Sequence, residues 1–181
     1  MAAGTTIVRF DITLSDVDRG VYDTLELRVA QHPSESDNYL LTRVLAYALE
    51  FEDDLSFSKG LSTPDEPALW SHDPTGALTR WIEVGNPKPD RIHRASKASP
   101  TVRIYTYKDL DVLRRSIAGN HIHRIDEIDV VTLPDDVLAP LAANLGRANT
   151  WTLLRSDGEL YVTVGDVNVS CPVLPVPLSG D

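Results

Sequence analysis

The segment KGLSTPDEPALWSHDPTGALTRWIEVG, residues 59–85, decides how this chain is interpreted, because it places acidic residues around short apolar runs. Asp65 and Glu66 precede the apolar run 68–70, and Glu83 lies on a strand predicted over 78–84. If the two runs pair as a hairpin, some of these carboxylates converge at one end of a sheet. The segment therefore indicates a site for Mg²⁺ or Mn²⁺, which bind several oxygen ligands and can activate water for attack on phosphorus.

The same three acids also have an ordinary structural interpretation. Carboxylates in turns and at strand edges are usually solvated, and most acidic residues of a folded protein stay exposed. Spacing alone does not separate solvated side chains from metal ligands. Both interpretations of Asp65, Glu66 and Glu83 therefore stay open at the level of sequence.

Composition sets limits on the size of the core and on the partners. The chain has 181 residues and is 42% hydrophobic, which is enough for one well-buried core and short for two. We predict a single domain over residues 1–166, followed by a proline-rich, extended or disordered tail at 167–181. The net charge of -10 disfavours a protein that simply coats nucleic acid, although a local basic patch can still bind phosphates.

Cysteine usage and hydropathy indicate a cytoplasmic protein. Cys171 is the single cysteine, so an intramolecular disulfide and a thiol-rich zinc site are both excluded. The N-terminal residues have neither a basic leader nor an apolar core of signal-peptide length. No apolar run approaches the roughly 20 residues needed to span a bilayer, so no membrane association is expected.

Hydrophobic periodicity predicts strands and helices that alternate along the chain. Alternation over 6–14 and 25–29 predicts an N-terminal β-hairpin. HPSESD, at 32–37, precedes apolar residues at helical spacing, which predicts a capped helix with Ser34 near its start. Further strands and helices alternate as far as a hairpin at 151–164. The fold class predicted is α/β (α+β), with one mixed central sheet flanked by helices.

Several motifs, taken together, resemble the YaeQ family of bacterial proteins. They are HPSE at 32–35, KGLSTPDEPALW at 59–70, WIEVG at 81–85, RIHRA at 91–95 and IYTY at 104–107. The resemblance extends over residues 6–164 and depends on the combination and spacing of the motifs. The family is regarded as a variant of the PD-(D/E)XK nuclease superfamily, so the resemblance implies a restriction-endonuclease-like fold.

The resemblance also implies roles for individual acids. Glu35 would be the upstream acid on the first helix, Asp65 or Glu66 the acid before the second core strand, and Glu83 the acid of the third-strand motif. Under this correspondence, Asp65, Glu66 and Glu83 are the metal ligands, and Glu35, Glu66 and Glu83 take part in catalysis. The cofactor implied is Mg²⁺ or Mn²⁺.

The chain departs from the superfamily pattern two residues after Glu83. The superfamily places a lysine there, which polarises the attacking water or stabilises charge on the phosphate, whereas this chain has Gly85. A positively charged side chain from another part of the chain could take the role of the missing lysine. The candidates are Lys59 in the KGLST motif and Arg91, which lies one helical turn from Arg94 on the next predicted helix.

Two functions therefore compete. The first is a divalent-metal-dependent nuclease or phosphodiesterase with a displaced catalytic cation. The second is a catalytically inactive nuclease-fold module that binds nucleic acid or a protein partner, and Gly85 and the net charge of -10 both favour it. The sequence does not identify the protein partner or the type of nucleic acid.

Overall fold

The chain forms two compact units in a computed structural model that describes residues 4–59 and 65–180. The first unit comprises the chain up to Leu49 together with Pro134–Leu174, and the second comprises Glu50–Leu133 together with the residues from Pro175 onward. The sequence predicted one domain over residues 1–166, and this stays a prediction. Periodicity identifies strands, but it does not show which strands share a sheet, and each unit combines segments that are distant in sequence.

The first unit is a five-stranded mixed sheet with two helices. Its elements, numbered in chain order, are β1 (Thr6–Asp16), β2 (Val21–Gln31), α1 (Asp37–Leu49), α4 (Asp135–Ala143), β8 (Ala148–Ser156), β9 (Glu159–Val164) and β10 (Val167–Pro172). The strand order is β10-β9-β8-β1-β2, and only the β1–β8 pair is parallel. Alternate residues of β1 and β8 are buried, and the rings of Phe10 and Trp151 meet edge to face at 5.0 Å.

The second unit is a six-stranded mixed sheet with two helices. Its elements are β3 (Leu55–Phe57), β4 (Leu69–His72), β5 (Leu78–Val84), α2 (Pro89–Ala98), β6 (Thr101–Thr106), α3 (Leu110–Ile117), β7 (Asp129–Thr132) and β11 (Val176–Pro177). The strand order is β11-β7-β6-β5-β4-β3, with β5, β6 and β7 parallel to one another. Trp81, Val102 and Ile104 form a buried cluster with apolar residues of α2 and α3. This cluster fixes α2 against the strand that carries Glu83.

The predicted fold class is confirmed as mixed α and β, with an N-terminal antiparallel strand pair, β1 and β2. The strands form two sheets, however, where the sequence predicted one central sheet. No helix among the described residues is both long enough and apolar enough to cross a membrane.

The C-terminal residues are part of both sheets. Residues 167–181 were predicted to be an extended or disordered tail, but 167–172 form β10 and 176–177 form β11. Both are the outermost strands of their sheets, as the sheet orders show. Proline has no backbone N–H and cannot donate a hydrogen bond to a neighbouring strand. An edge strand has a neighbour on one side only, so it tolerates Pro172 and Pro177 better than a central strand would. Proline content concealed the strands in the sequence.

Helix α1 begins slightly later than the sequence predicted. It starts at Asp37, and the backbone N–H of Tyr39 donates to Oγ of Ser36 at 3.1 Å, so Ser36 is the capping residue. Ser34 instead contacts the His32 ring in the preceding turn. Glu35 was expected on this helix and lies two residues before it.

Cys171 is expected to react very slowly in the folded protein. Burial, together with the negative charges of Glu159 and Asp136, raises the pKa of its thiol to about 11. The thiolate is the reactive form, so alkylation at pH 8 should be about 100-fold slower than for an unperturbed thiol with a pKa near 9. Mass spectrometry after iodoacetamide treatment measures this rate, and urea-unfolded protein is the control. Equal rates in the two samples would contradict the prediction.

Candidate functional site

Glu83 is a buried carboxylate held by two donors. It lies near the end of β5, on the same face as Trp81, because side chains two residues apart on a strand point to the same side. Its Oε1 accepts hydrogen bonds from Trp81 Nε1 at 2.7 Å and from Arg91 Nε at 2.8 Å. The residue is only 4% exposed. Its negative charge is therefore balanced by the Arg91 guanidinium, within a hydrogen-bonded ion pair.

Arg91 links two parts of the predicted site. It lies in the first turn of α2, and its Nη2 donates to the backbone carbonyl of Glu66 while its Nε binds Glu83. The carboxylate of Glu66 accepts the backbone N–H of Lys59 at 3.0 Å. These contacts link Glu66 to Arg91 and to the backbone of Lys59, and Arg91 to Glu83. The bonds to Glu66 involve its carbonyl and one carboxylate oxygen.

Asp65 lies at the exposed rim of the same region. Its side chain is 84% exposed and forms an ion pair with Arg94 across 3.3 Å. A shallow cavity of about 330 Å³ is lined by Asp65, Trp81, Arg91, Arg94 and Ala98. Arg91 and Arg94 thus line it from the same side of α2. Gly60 to Pro64, most of the KGLST motif, lie outside the described residues.

Glu35 lies in the first unit and has its own partner there. Arg43 Nη2 donates to Glu35 Oε2 at 2.7 Å and to the Ala30 carbonyl at 2.8 Å. Burial outweighs the attraction of Arg43 and raises the pKa of Glu35 above its ordinary value. Within its own unit, therefore, Glu35 joins the end of β2 to α1.

The side chains around Glu83 do not fit a divalent cation as they are arranged. Mg²⁺ and Mn²⁺ bind through several oxygen ligands, and Glu83 already accepts hydrogen bonds from Trp81 and Arg91. Across residues 4–59 and 65–180, no group of three or more His, Cys, Asp or Glu side chains is placed to hold a metal ion. The predicted site of Asp65, Glu66 and Glu83 stays a prediction.

The backbone explains why glycine occupies the position where a lysine was expected. Gly85 has a φ of +90°, a conformation that L-amino acids with side chains rarely adopt, and its N–H donates to the Tyr105 carbonyl at 2.8 Å. No atom lies within 4 Å of where a Cβ would be, so the obstacle to a side chain is the backbone and not the space. A lysine at this position would therefore strain the end of β5.

Another buried carboxylate, Glu50, was not singled out from the sequence. It is 4% exposed and accepts hydrogen bonds from Arg80 Nη1 at 2.7 Å, Arg103 Nη1 at 2.5 Å and Tyr105 Oη at 2.7 Å. In the sequence it lies directly after the residues of α1, close to Glu52, Asp53 and Asp54. Arg80 could have indicated this buried acid from the sequence. It shares a strand face with Leu78, Ile82 and Val84, and a charge on an apolar face requires a partner of opposite charge.

Positive charge is concentrated in one part of the second unit. Residues 86–125 contain nine lysines and arginines and three acidic residues, a formal charge of +6 in a chain whose total is -10. On α2, Arg94 and Lys97 are exposed, as is Lys88 just before it. Arg91 is half-buried on the same helix. The helix beside Glu83 is therefore a basic surface on an acidic protein.

Comparison with known proteins identifies relatives along most of the chain. A family model described as YaeQ protein matches residues 1–173. The YaeQ protein of Escherichia coli (strain K12) is 27% identical over 165 residues, which cover 90% of this chain and 91% of the relative. The YaeQ protein of Salmonella typhi is 33% identical over 164 residues, again covering 90% and 91%.

Solved structures match over nearly the full length. The crystal structure of YaeQ protein from Pseudomonas syringae has a TM-score of 0.86 at 32% identity and covers 99% of both chains. That of YaeQ protein from Xanthomonas axonopodis pv. citri has a TM-score of 0.87 at 32% identity, covering 98% of this chain and 100% of the other. The relation to PD-(D/E)XK nucleases stays a prediction from the sequence.

Proposed function

This chain belongs to the YaeQ family, and from that premise we propose that it binds nucleic acid through the exposed face of α2 and does not cleave it. The observation that carries the proposal is the formal charge of +6 on residues 86–125, within a protein of net charge -10. Binding to nucleic acid draws much of its free energy from neutralisation of phosphates by Lys and Arg. A local basic surface supplies that neutralisation even when the whole protein is acidic.

The proposed contact surface is centred on Arg94. Arg94 and Lys97 lie on α2 with exposed side chains, and Lys88 is exposed directly before the helix. The side chain of Arg94 is 65% exposed, and its ion pair with Asp65 joins two exposed groups at 3.3 Å. Exposed pairs of this kind contribute roughly 1 kcal/mol or less. Arg94 can therefore exchange Asp65 for a phosphate at small cost.

The surroundings of Glu83 support binding without hydrolysis. Its carboxylate is neutralised by Arg91 and hydrogen-bonded by Trp81, and Gly85 replaces the lysine that the nuclease pattern requires. Arg91 is in turn oriented by Glu83 and by the Glu66 carbonyl. These bonds hold a half-buried guanidinium beside the cavity, where it adds positive potential. In this proposal Glu83 is a positioning residue for Arg91.

The proposal predicts that Arg94→Ala weakens binding independently of nucleic-acid sequence. Loss of one phosphate contact should lower affinity by up to about fivefold and reduce the slope of log affinity against log salt by about one. Fluorescence anisotropy with labelled single-stranded DNA, duplex DNA and RNA, each at several salt concentrations, measures both quantities. Arg147→Ala is the matched control, because it removes an exposed arginine from the first unit. Equal effects of the two variants would contradict the proposed surface.

The alternative function is a nuclease or phosphodiesterase that depends on Mg²⁺ or Mn²⁺. Its support is that the three predicted acids lie around one helix, since Arg91 contacts Glu83 and the Glu66 carbonyl while Arg94 pairs with Asp65. Titration calorimetry with each metal, combined with cleavage assays on the same nucleic acids, tests it against Glu83→Ala. Metal-dependent cleavage that disappears in this variant would replace the binding-only proposal.

A protein partner is the remaining possibility for a module without catalytic activity. Binding to nucleic acid that is insensitive to salt, or absent for all three probes, would remove the support for the α2 surface as a phosphate contact. The basic face would then be tested with an acidic polypeptide, such as polyglutamate, in the same anisotropy assay. Saturable binding that Arg94→Ala weakens and Arg147→Ala does not would favour that partner class.

A further inference from the structure

The strand β2 is an uncovered edge on the sheet of the first unit. It is the terminal strand in the order β10-β9-β8-β1-β2 and runs for 11 residues. Along most of it, residues alternate between buried and exposed, so one face packs on the core and the other faces solvent. A long edge strand is a template for pairing with another chain. Nothing in the order of the strands covers this edge.

Charges on the solvent face of β1 and β2 are arranged in two rows of like sign. The register places Arg9 opposite Arg28 and Asp11 opposite Glu26, and all four side chains are exposed. Like charges directly opposite each other on neighbouring strands are destabilising. Within the described part of the chain, none of these four side chains forms an ion pair. The monomer therefore has a positive row beside a negative row, both ending at the open edge.

We propose that two copies of this chain pair through β2, antiparallel, with Leu27 on the two-fold axis. This operation places Glu26 of each copy opposite Arg28 of the other, and Leu25 opposite Val29. The positive row, Arg9 and Arg28, then lies beside Glu26 of the partner copy. The negative row, Asp11 and Glu26, lies beside the partner copy's Arg28, so each row of like charges gains an opposite charge at the edge. The same surface is used on both subunits, as two-fold symmetry requires.

The charges select this register over its neighbours. Centring the pair on Glu26 would place Glu26 opposite itself, and centring it on Arg28 would place Arg28 opposite itself. A slip by a single residue would turn the alternating side chains to the wrong face. Only the axis at Leu27 gives two attractive pairs among these alternatives.

Contacts at the C-terminal end of β2 limit how far the two copies can pair. Arg43 donates to the Ala30 carbonyl at 2.8 Å, and Nε2 of Gln31 donates to the carboxylate of Asp37 at 3.0 Å. These contacts occupy the C-terminal end of the strand. The two copies therefore pair over residues 25–29, and the dimer depends strongly on the two charge pairs. It should dissociate on dilution and at high salt.

Sedimentation velocity over a range of protein concentrations at low salt tests the proposal. The wild-type chain should show a concentration-dependent dimer. Glu26→Arg and Arg28→Glu should each raise the dissociation constant by about 30-fold or more, since two attractive contacts become repulsive. Asp166→Arg makes the same acidic-to-basic change as Glu26→Arg at an exposed position elsewhere in the unit, and it should leave the dimer intact.

Mixing the two variants distinguishes pairing at β2 from a general effect of charge. An equimolar mixture of Glu26→Arg and Arg28→Glu should form a heterodimer, because every crossed pair is then oppositely charged. Circular dichroism of each variant establishes that it is folded. The proposal is overturned if the wild-type chain stays monomeric at all concentrations, if the dimer persists in both single variants, or if their mixture remains monomeric.

Discussion

Replacing Asp16 with alanine is expected to lower the free energy of unfolding by about 3–5 kcal/mol. Asp16 ends β1 and is fully buried. Its carboxylate accepts hydrogen bonds from Arg19 Nε at 2.7 Å and from Arg155 at 3.0 Å and 2.5 Å. Alanine would leave Arg155, whose side chain is only 13% exposed, without its carboxylate. An uncompensated buried charge is the cause of the large loss.

Urea unfolding followed by Trp fluorescence measures this effect, because Trp151 is buried in the same unit. Asp166→Ala is the control, since it removes an exposed carboxylate and should change stability by less than about 0.5 kcal/mol. A loss below about 1 kcal/mol in Asp16→Ala would show that the two arginines find other partners or water.

The same carboxylate predicts how stability responds to acid. Burial raises the pKa of Asp16, but the hydrogen bonds and charges of Arg155 and Arg19 outweigh it and hold the pKa below its ordinary value of 3.8. The stabilisation is therefore complete above pH 3.8 and is lost as the pH falls through the lower folded-state pKa. Asp16→Ala should lack this part of the acid-induced loss. Urea titrations of both proteins at several pH values below 5 would reveal the difference.

Replacing Glu50 with alanine should have a comparable effect in the second unit, about 3–5 kcal/mol. The change removes the shared acceptor of Arg80, Arg103 and Tyr105. Burial by itself lowers the pKa of Arg103, but the charge and hydrogen bond of Glu50, together with Tyr105 and Asp129, outweigh burial and raise the pKa. Removing Glu50 takes away this support, yet a guanidinium keeps its charge at neutral pH, so the half-buried Arg103 is left charged without its closest counter-ion.

Glu52→Ala is the matched control for Glu50. Glu52 also contacts Arg80, at 3.5 Å, but its side chain is 39% exposed. Solvent screens the exposed pair, and Glu52 also accepts the hydroxyl of the buried Ser71, so its removal should cost about 1–2 kcal/mol, less than that of Glu50. Urea unfolding followed by tryptophan fluorescence measures the loss, because Trp70 and Trp81 both lie in this unit. If both variants lost the same stability, the central role of Glu50 would be contradicted.

Further evidence for the network would come from Tyr105→Phe. This variant removes the hydroxyl that donates to Glu50 at 2.7 Å and leaves the ring in place. The double variant Glu50→Ala with Tyr105→Phe should lose less stability than the sum of the two single changes, because the residues share one hydrogen bond. Additive losses would indicate that the hydroxyl acts independently of Glu50.

Local sequence determined the elements that surround the site. Two-residue alternation predicted β1 and β5, and helical spacing predicted α1, because these periods follow from the geometry of a single strand or helix. It also named Glu83 and Arg91 as candidates. What it did not provide was their contact, which depends on how α2 packs against β5 through Trp81 and its neighbours.

Interactions between distant residues were decided by the tertiary structure alone. Glu50 meets residues that are 30, 53 and 55 positions away, and Asp16 meets Arg155 from 139 positions away. The choice among such partners depends on strand order, and strand order is set by the packing of all elements together. The sequence by itself determined most of the strands and helices, though not β10 and β11, and named candidate acids. Only the tertiary structure decided which carboxylates are neutralised by arginines, because burial and proximity arise when the sheets assemble.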